Sequence, residues 1–257
     1  MTLADDLITA HARGGEVPPF SDRYPGLTAA AGYEAGRALH GHRLASGWKP
    51  VGRKIGFTNR TLWPRYGVFE PMWGTVYDRT LIDAAAGHAR VPLAGLVNPR
   101  IEPEICFGLK RSPRADDVAG AIAWVAHSVE IVQCHHAGWK LTIADCTASN
   151  GLHGRLVVGP RQPVMPHMAS RLPEIEARLY RGAELVDRGV GANVLGSPLL
   201  ALKHLVDLLD RQGAEPLQPG ELVSTGVITD AHPVRAGETW TTRIDGLPLP
   251  GLTIEFI

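Results

Sequence analysis

The sequence predicts an α+β protein: a mostly-β rolled mixed sheet with a helical arm at its N-terminus. Three observations predict it. The first fifty residues carry helix-forming patterns. From Val51 onward the chain turns to short apolar runs, in part β-branched or aromatic. Gly and Pro, 29 and 20 in number, fall between those runs, where turns are expected. Residues 1–50 are accordingly read as the arm, and residues 51–257 as one β-rich domain that carries the chemistry.

In the arm, Leu3 to Arg13 is a short amphipathic helix that stops at Gly14-Gly15. Leu27 to Ala45 is rich in Ala, Leu, Arg and Glu, which favour helix, and it stops before Gly47-Trp48-Lys49-Pro50. Beyond it, strands are predicted at Glu104–Leu109, Trp124–Gln133, Ile175–Tyr180, Leu222–Ile228, Thr239–Ile244 and Leu252–Ile257. One late helix, Pro198–Gln212, turns Leu199, Leu202, Leu205, Val206 and Leu209 to one face. Long, irregular connections between strands suggest a rolled sheet rather than a doubly wound one.

Composition narrows the function. Lys plus Arg equals Asp plus Glu, 26 of each, so no basic surface for a phosphate backbone is implied. The longest apolar run, Ala119 to Ala126, is too short to cross a bilayer. The N-terminus lacks the basic start and apolar core of a secretory signal. Three cysteines, Cys106, Cys134 and Cys146, form no CxxC pair and no even set, which fits a reducing cytoplasm. The expected partner is a small molecule, with no nucleic acid and no membrane.

The strongest local signal is Arg100-Ile-Glu-Pro-Glu-Ile-Cys-Phe107. Residues two apart on a strand share a face, so Glu102 and Glu104 point the same way. Held that close, one would keep its proton unless a cation lay between them. Glu130 sits within the apolar run Trp124–Val132, where an acid needs a partner. Three carboxylates suit a hard cation, Mg²⁺ or Mn²⁺, with open positions for a chelating substrate. A solvated face for Glu102 and Glu104, with Glu130 paired to Arg or Lys, is the alternative.

Further motifs fall in a specific order. They are Gly52-Arg-Lys-Ile-Gly-Phe-Thr58, Pro71-Met-Trp-Gly74, Pro99-Arg-Ile-Glu-Pro-Glu-Ile-Cys-Phe107, Glu130-Ile-Val and Trp139-Lys140. Ala148-Ser-Asn150, Val157-Val-Gly159, Leu195–Leu199 and Pro219-Gly-Glu-Leu-Val-Ser-Thr-Gly226 follow. The set resembles the 2-oxopent-4-enoate hydratase and 4-oxalocrotonate decarboxylase family of the fumarylacetoacetate hydrolase superfamily, from about Tyr33 to the C-terminus. The resemblance implies a β-rich roll, a homo-oligomer and a Mg²⁺ or Mn²⁺ held by Glu102, Glu104 and Glu130. It also implies that Lys54 is the ionisable group nearest the substrate and that Asn150 lies in the substrate-binding part. In two places the chain departs from the family pattern. Met72 stands where an acid is usual, and Ser149 where the family reads Ala-Asp-Asn. The metal ligands are untouched, but the choice of reaction is left open.

Other residues are weighed beside these. Burial next to a metal would lower the pKa of Lys54 toward working pH, which suits proton transfer. Arg100 and Lys140 could meet a substrate carboxylate, or simply form surface ion pairs. His153 could serve as an acid or base in place of the missing carboxylates, or hydrogen-bond only its surroundings. Thr225 could donate to a substrate carboxylate, or be satisfied by its strand neighbours. Cys134-His135-His136 invites a zinc reading, but adjacent residues of a strand point to opposite faces. The expected activity is metal-dependent hydration of a 2-hydroxy-2,4-dienoate to a 4-hydroxy-2-oxo acid, as in aromatic-compound degradation. The alternatives are an oxalocrotonate-type decarboxylase, an acylpyruvate hydrolase, or a non-catalytic small-molecule binder on the same fold.

Overall fold

The computed structural model describes residues 2–257. The arm comprises α1 (Leu3–Arg13), α2 (Phe20–Arg23) and α3 (Ala29–Ala45). Thr2 and Asp5 form a reciprocal capping box on α1, and Thr28 caps α3. Leu7, Ala10, Phe20, Ala35 and Leu39 make a small core that also takes in Ala148. The chain then runs through β1 (Pro50–Gly56), α4 (Trp63–Tyr66), β2 (Met72–Tyr77), β3 (Leu81–Asp83), β4 (His88–Val91), β5 (Arg100–Leu109) and β6 (Ile122–Val132). After these come α5 (Ile143–Ala148), β7 (His153–Val158), β8 (Gln162–Pro163), α6 (Met168–Arg171), β9 (Glu176–Arg181), β10 (Glu184–Val190) and α7 (Pro198–Arg211). The chain closes with β11 (Leu222–Ser224), β12 (His232–Pro233), β13 (Thr239–Asp245) and β14 (Thr253–Phe256).

Two mixed sheets result. The larger runs β2-β1-β11-β5-β6-β7-β3, with β12 on the edge of β5 and β8 on β6. The smaller runs β10-β9-β13-β14-β4. One core joins β5 and β6 of the large sheet to α7 and β9 through Ile105, Phe107, Val125, Leu202, Leu205 and Ala177. A second joins Ile101, Val129 and Ile131 to Trp240, Ile254 and Phe256. This is the α+β roll expected from the sequence.

Several elements differ from the sequence reading, among them the end of one predicted strand, one further strand and one further helix. The strand expected at Leu222–Ile228 ends at Ser224, because Gly226 turns the chain at φ +99°. A Cβ there would lie 1.9 Å from Thr58 Oγ1, so only glycine fits. The strand β10 and the helix α5 were not foreseen. Thr142-Ile-Ala-Asp145 is nevertheless a capping box, and both its bonds form.

Where the arm meets the sheet, the His11 and His135 rings pack at 4.5 Å, and His11 Nδ1 lies 3.4 Å from Arg43 Nη2. Arg43 is buried over the rings of Trp48 and Tyr77. Burial first, and then neighbouring positive charge, pushes His11 well below the usual histidine range and His135 down to about 4. Both are therefore neutral in the fold, while the unfolded chain takes up protons below about pH 6.5. Stability is lost as pH falls from about 6.5 toward 4, by up to about 1.4 kcal/mol per pH unit for each histidine. Thermal melts across that range should fall more steeply for the parent than for His11→Leu. Equal slopes would rule this coupling out.

Candidate metal centre

β5 and β6 are antiparallel neighbours, with Glu102 opposite Glu130 and Glu104 opposite Ser128. Directly opposed side chains on one face stand about 5 Å apart, and like charges there repel. Pro103 interrupts a central strand without loss. It lies where β5 faces the loop after β11, and its carbonyl accepts from Ile228 N at 2.9 Å. The amide it lacks would have pointed to the same side.

One carboxylate oxygen from each of Glu102, Glu104 and Glu130 lies within 4.8 Å of the others. Among the described residues they form the one group of three or more acidic, His or Cys side chains with such a spacing. Glu104 and Glu130 are fully buried, and each uses its two oxygens differently. Glu104 Oε2 accepts from Ser224 Oγ at 2.5 Å and from Gly226 N at 2.9 Å, while its Oε1 has no partner. Glu130 Oε1 meets His153 Nδ1 at 2.8 Å, while its Oε2 has only the Lys54 ammonium, at 3.3 Å. A buried carboxylate oxygen left without a donor is costly. Two of them beside a third carboxylate fit a hard divalent cation.

The charges respond to that crowding. Burial, with repulsion from Glu130, raises Glu102 to about 8 even though Lys54 and Arg100 oppose the rise. Burial, Glu130 and Glu102 push Glu104 well above the carboxylate range. Glu130 is also penalised by burial, but Lys54 and His153 bring it below its ordinary value. The sequence reading expects a lowered Lys54 beside a bound metal; in the metal-free chain the direction is the opposite. Burial alone would lower the ammonium, but Glu130, Glu102 and Glu104 surround it, and the balance lies above an ordinary lysine. Gly56 makes room for that head group, since a Cβ there would stand 2.8 Å from Lys54 Nζ.

Lys54 and Glu102 open into a narrow cavity of about 40 Å³, whose other lining includes Phe57, Leu62, Met72, Val132, Trp139, Leu152, Val227 and Ala231. At 10–15 Å³ per water centre this holds about three waters. Met72 packs with Cys146 and Leu152 as an apolar wall.

The remaining sequence-predicted residues are dispersed. Arg100 lies over the Trp139 ring at 4.2 Å, and its charge is felt by Glu102. Lys140 is exposed on a separate cleft with Glu16 and Pro18. Asn150 clamps Thr75, accepting from its N–H at 2.8 Å and donating to its carbonyl at 2.9 Å. Thr225 spends its hydroxyl on the Ile105 carbonyl at 2.8 Å. His153 is the first residue of β7, behind Glu130 and away from the cavity lining. Ser224, Gly226 and Thr80 were not singled out, although the first two lie in the Pro219–Gly226 motif. Cys106 lies in an apolar cluster, and the three cysteines are free and buried.

No family model matches the chain. It is 31% identical to 2-keto-4-pentenoate hydratase of Burkholderia vietnamiensis, over 96% of this chain and 94% of that one. It superposes on 4-oxalocrotonate decarboxylase of Pseudomonas putida G7, complexed with magnesium and adipate, with a TM-score of 0.90 and 28% identity. That match covers 99% of this chain and 96% of the other. Fumarylpyruvate hydrolase of Pseudomonas aeruginosa, in complex with Mn²⁺ and pyruvate, shares the fold. Its TM-score is 0.62 at 14% identity, over 80% of this chain and 88% of the other.

Proposed function

The chain belongs to the 2-keto-4-pentenoate hydratase family, and from that membership we propose that it hydrates a 2-hydroxy-2,4-dienoate, or its 2-oxo-4-enoate tautomer, to a 4-hydroxy-2-oxo acid. The observation that carries this reading is a pair of buried carboxylate oxygens without a hydrogen-bond donor, Glu104 Oε1 and Glu130 Oε2, the second 3.3 Å from Lys54 Nζ, whose side chain lines an apolar cavity. Glu102, Glu104 and Glu130 are the proposed ligands of a Mg²⁺ or Mn²⁺ ion. When bound, the ion would supply Lewis-acid stabilisation to negative charge developing on the carboxylate and C2 oxygens of the substrate.

The protein's own groups do the rest. Lys54 Nζ, held by Glu130, is the proton carrier at the cavity wall. Arg100, stacked on Trp139, is the proposed partner of the substrate carboxylate. Phe57, Met72, Val132 and Leu152 exclude bulk water, so that the water added to the alkene is one held in the site. The apolar wall also supports hydration over decarboxylation of a diacid, since Lys54 and Glu102 are the charged groups lining the cavity. Asn150 and Thr225 are proposed to support the site through the backbone bonds they make. The reading extends to a homo-oligomer, as the family resemblance implies, and to the reducing cytoplasm, which three free cysteines fit.

The test mixes protein and Mg²⁺, or EDTA, with 2-hydroxypenta-2,4-dienoate, an oxalocrotonate and an acylpyruvate. Metal-dependent loss of dienol absorbance without CO₂ is expected. Release of CO₂ would mean decarboxylation, and tight binding with no turnover would mean a binder. Lys54→Met should lower kcat by about 10²–10⁴-fold, the usual contribution of a proton-transfer group. An unchanged kcat would remove Lys54 from the mechanism.

A further inference from the structure

Glu130 contributes two oxygens with different surroundings, and the difference is imposed from behind. His153 is buried, with Nδ1 2.8 Å from Glu130 Oε1 and Nε2 2.8 Å from Thr80 Oγ1. Thr80 is itself fixed in the turn after β2. Its Oγ1 accepts from Tyr77 N at 3.1 Å and lies 3.0 Å from the Tyr77 carbonyl. Its own carbonyl accepts from Leu156 N in β7 at 2.9 Å. The Glu130 carboxylate can only accept, so the imidazole donates its one N–H, at Nδ1, to Oε1, and Nε2 is left to accept from the Thr80 hydroxyl. The imidazole is thereby fixed in plane and cannot flip without breaking a buried bond at each nitrogen. Glu130 Oε1 is anchored, and Oε2 is the oxygen left without a hydrogen-bond donor, 3.3 Å from Lys54 Nζ. Ser224 and Gly226 do the same for Glu104 from the opposite side of the cluster.

We propose that the Thr80–His153 pair is a positioning device for Glu130, and that it sets how tightly this protein holds a divalent cation. His153 acts through Glu130 and does not touch the substrate. The inference rests on reading the three glutamates as the cation site. It is independent of which 2-oxo acid reacts. Partners of this kind behind a ligand side chain commonly contribute 10–100-fold to metal affinity.

The experiment titrates Mn²⁺ into the metal-stripped full-length protein, following bound ion by electron paramagnetic resonance and heat by calorimetry. Circular dichroism serves as the folding control. His153→Ala should weaken Mn²⁺ by 10–100-fold. His153→Gln, whose amide can still donate to Glu130, should recover most of that loss. Thr80→Val, which removes the hydroxyl that donates to Nε2 and leaves His153 and Glu130 in place, should weaken Mn²⁺ by several-fold, while Thr80→Ser should not. Should His153→Ala fail to fold, the Thr80 pair decides the matter. Parent-like affinity in Thr80→Val, or in a folded His153→Ala, overturns the proposal. A parent protein that binds no Mn²⁺ overturns the cation site itself, which is a different failure.

Discussion

Replacing Glu104 by Gln is expected to abolish Mn²⁺ binding and to lower kcat/KM by roughly a thousandfold, while the protein stays folded. The magnitude corresponds to about 4 kcal/mol, of the size a Lewis-acid ion contributes to transition-state charge. Folding should survive because the amide oxygen can still accept from Ser224 Oγ and Gly226 N, the two donors that fix Glu104 Oε2. Its NH₂ then meets Glu102 and Glu130, relieving repulsion. The same substitution has a second, opposite signature in the metal-free protein. Burial and the neighbouring acids raise Glu102 to about 8 and hold Glu104 well above the ordinary range. A carboxyl whose pKa is raised by folding disfavours the fold once ionised. The EDTA-treated parent should therefore lose stability as pH rises from about 4.5 through 8. Glu104→Gln removes one charge of the cluster and should flatten that decline. Melting curves in EDTA at pH 5, 7 and 9, with a Mn²⁺ titration, read both effects. Full activity or parent-like Mn²⁺ affinity in the variant would refute the ligand assignment.

How far the site could be read from the sequence follows from which facts are local. The shared face of Glu102 and Glu104 needs only the two-residue period of a strand, and the helices of the arm need only their caps and stop signals. That Glu130 lies opposite Glu102 is a matter of register between strands, which no local pattern fixes. The Pro219–Gly226 motif was recognised, yet Thr225 was chosen where Ser224 holds the cluster. The two differ by one residue, hence by one face, and the strand ends there at a glycine turn. Lys140, weighed as a partner of a substrate carboxylate or as a surface ion pair, is exposed on another cleft. For Lys54 the sequence offers burial beside a metal, whereas in the metal-free chain the carboxylates set against that burial decide the direction. Three carboxylates around one ammonium outweigh it, and that number is a property of the fold.

Selectivity for the substrate tail is the second large effect, and it follows from the cavity wall. Turnover of 2-hydroxypenta-2,4-dienoate and of its methyl homologue is expected to exceed that of a diacid analogue by about 10²–10³-fold in kcat/KM. A second carboxylate would have to enter among Phe57, Leu62, Met72, Val132 and Leu152. Of the two charged groups on that lining, Glu102 repels it and Lys54 is already committed to Glu130. An uncompensated buried charge costs about 3–5 kcal/mol, which covers the stated ratio. A methyl group on the tail is worth only about 1–3 kcal/mol either way, so the two uncharged substrates should lie much closer together. Met72 is the position from which to invert the preference. Gly56 marks its surroundings: a Cβ there would lie 2.8 Å from Lys54 Nζ and 3.0 Å from Met72 Cε, so the thioether borders the ammonium. Met72→Arg would bring a guanidinium to the tail, where it can pair with a second carboxylate. It would also repel Lys54, so activity on the uncharged dienoate should fall as the diacid gains, and the ratio should close by at least about tenfold. Competition assays with both substrates in one vessel measure that ratio directly. A parent enzyme that consumes the diacid as readily as the dienoate would show that the wall does not select the tail.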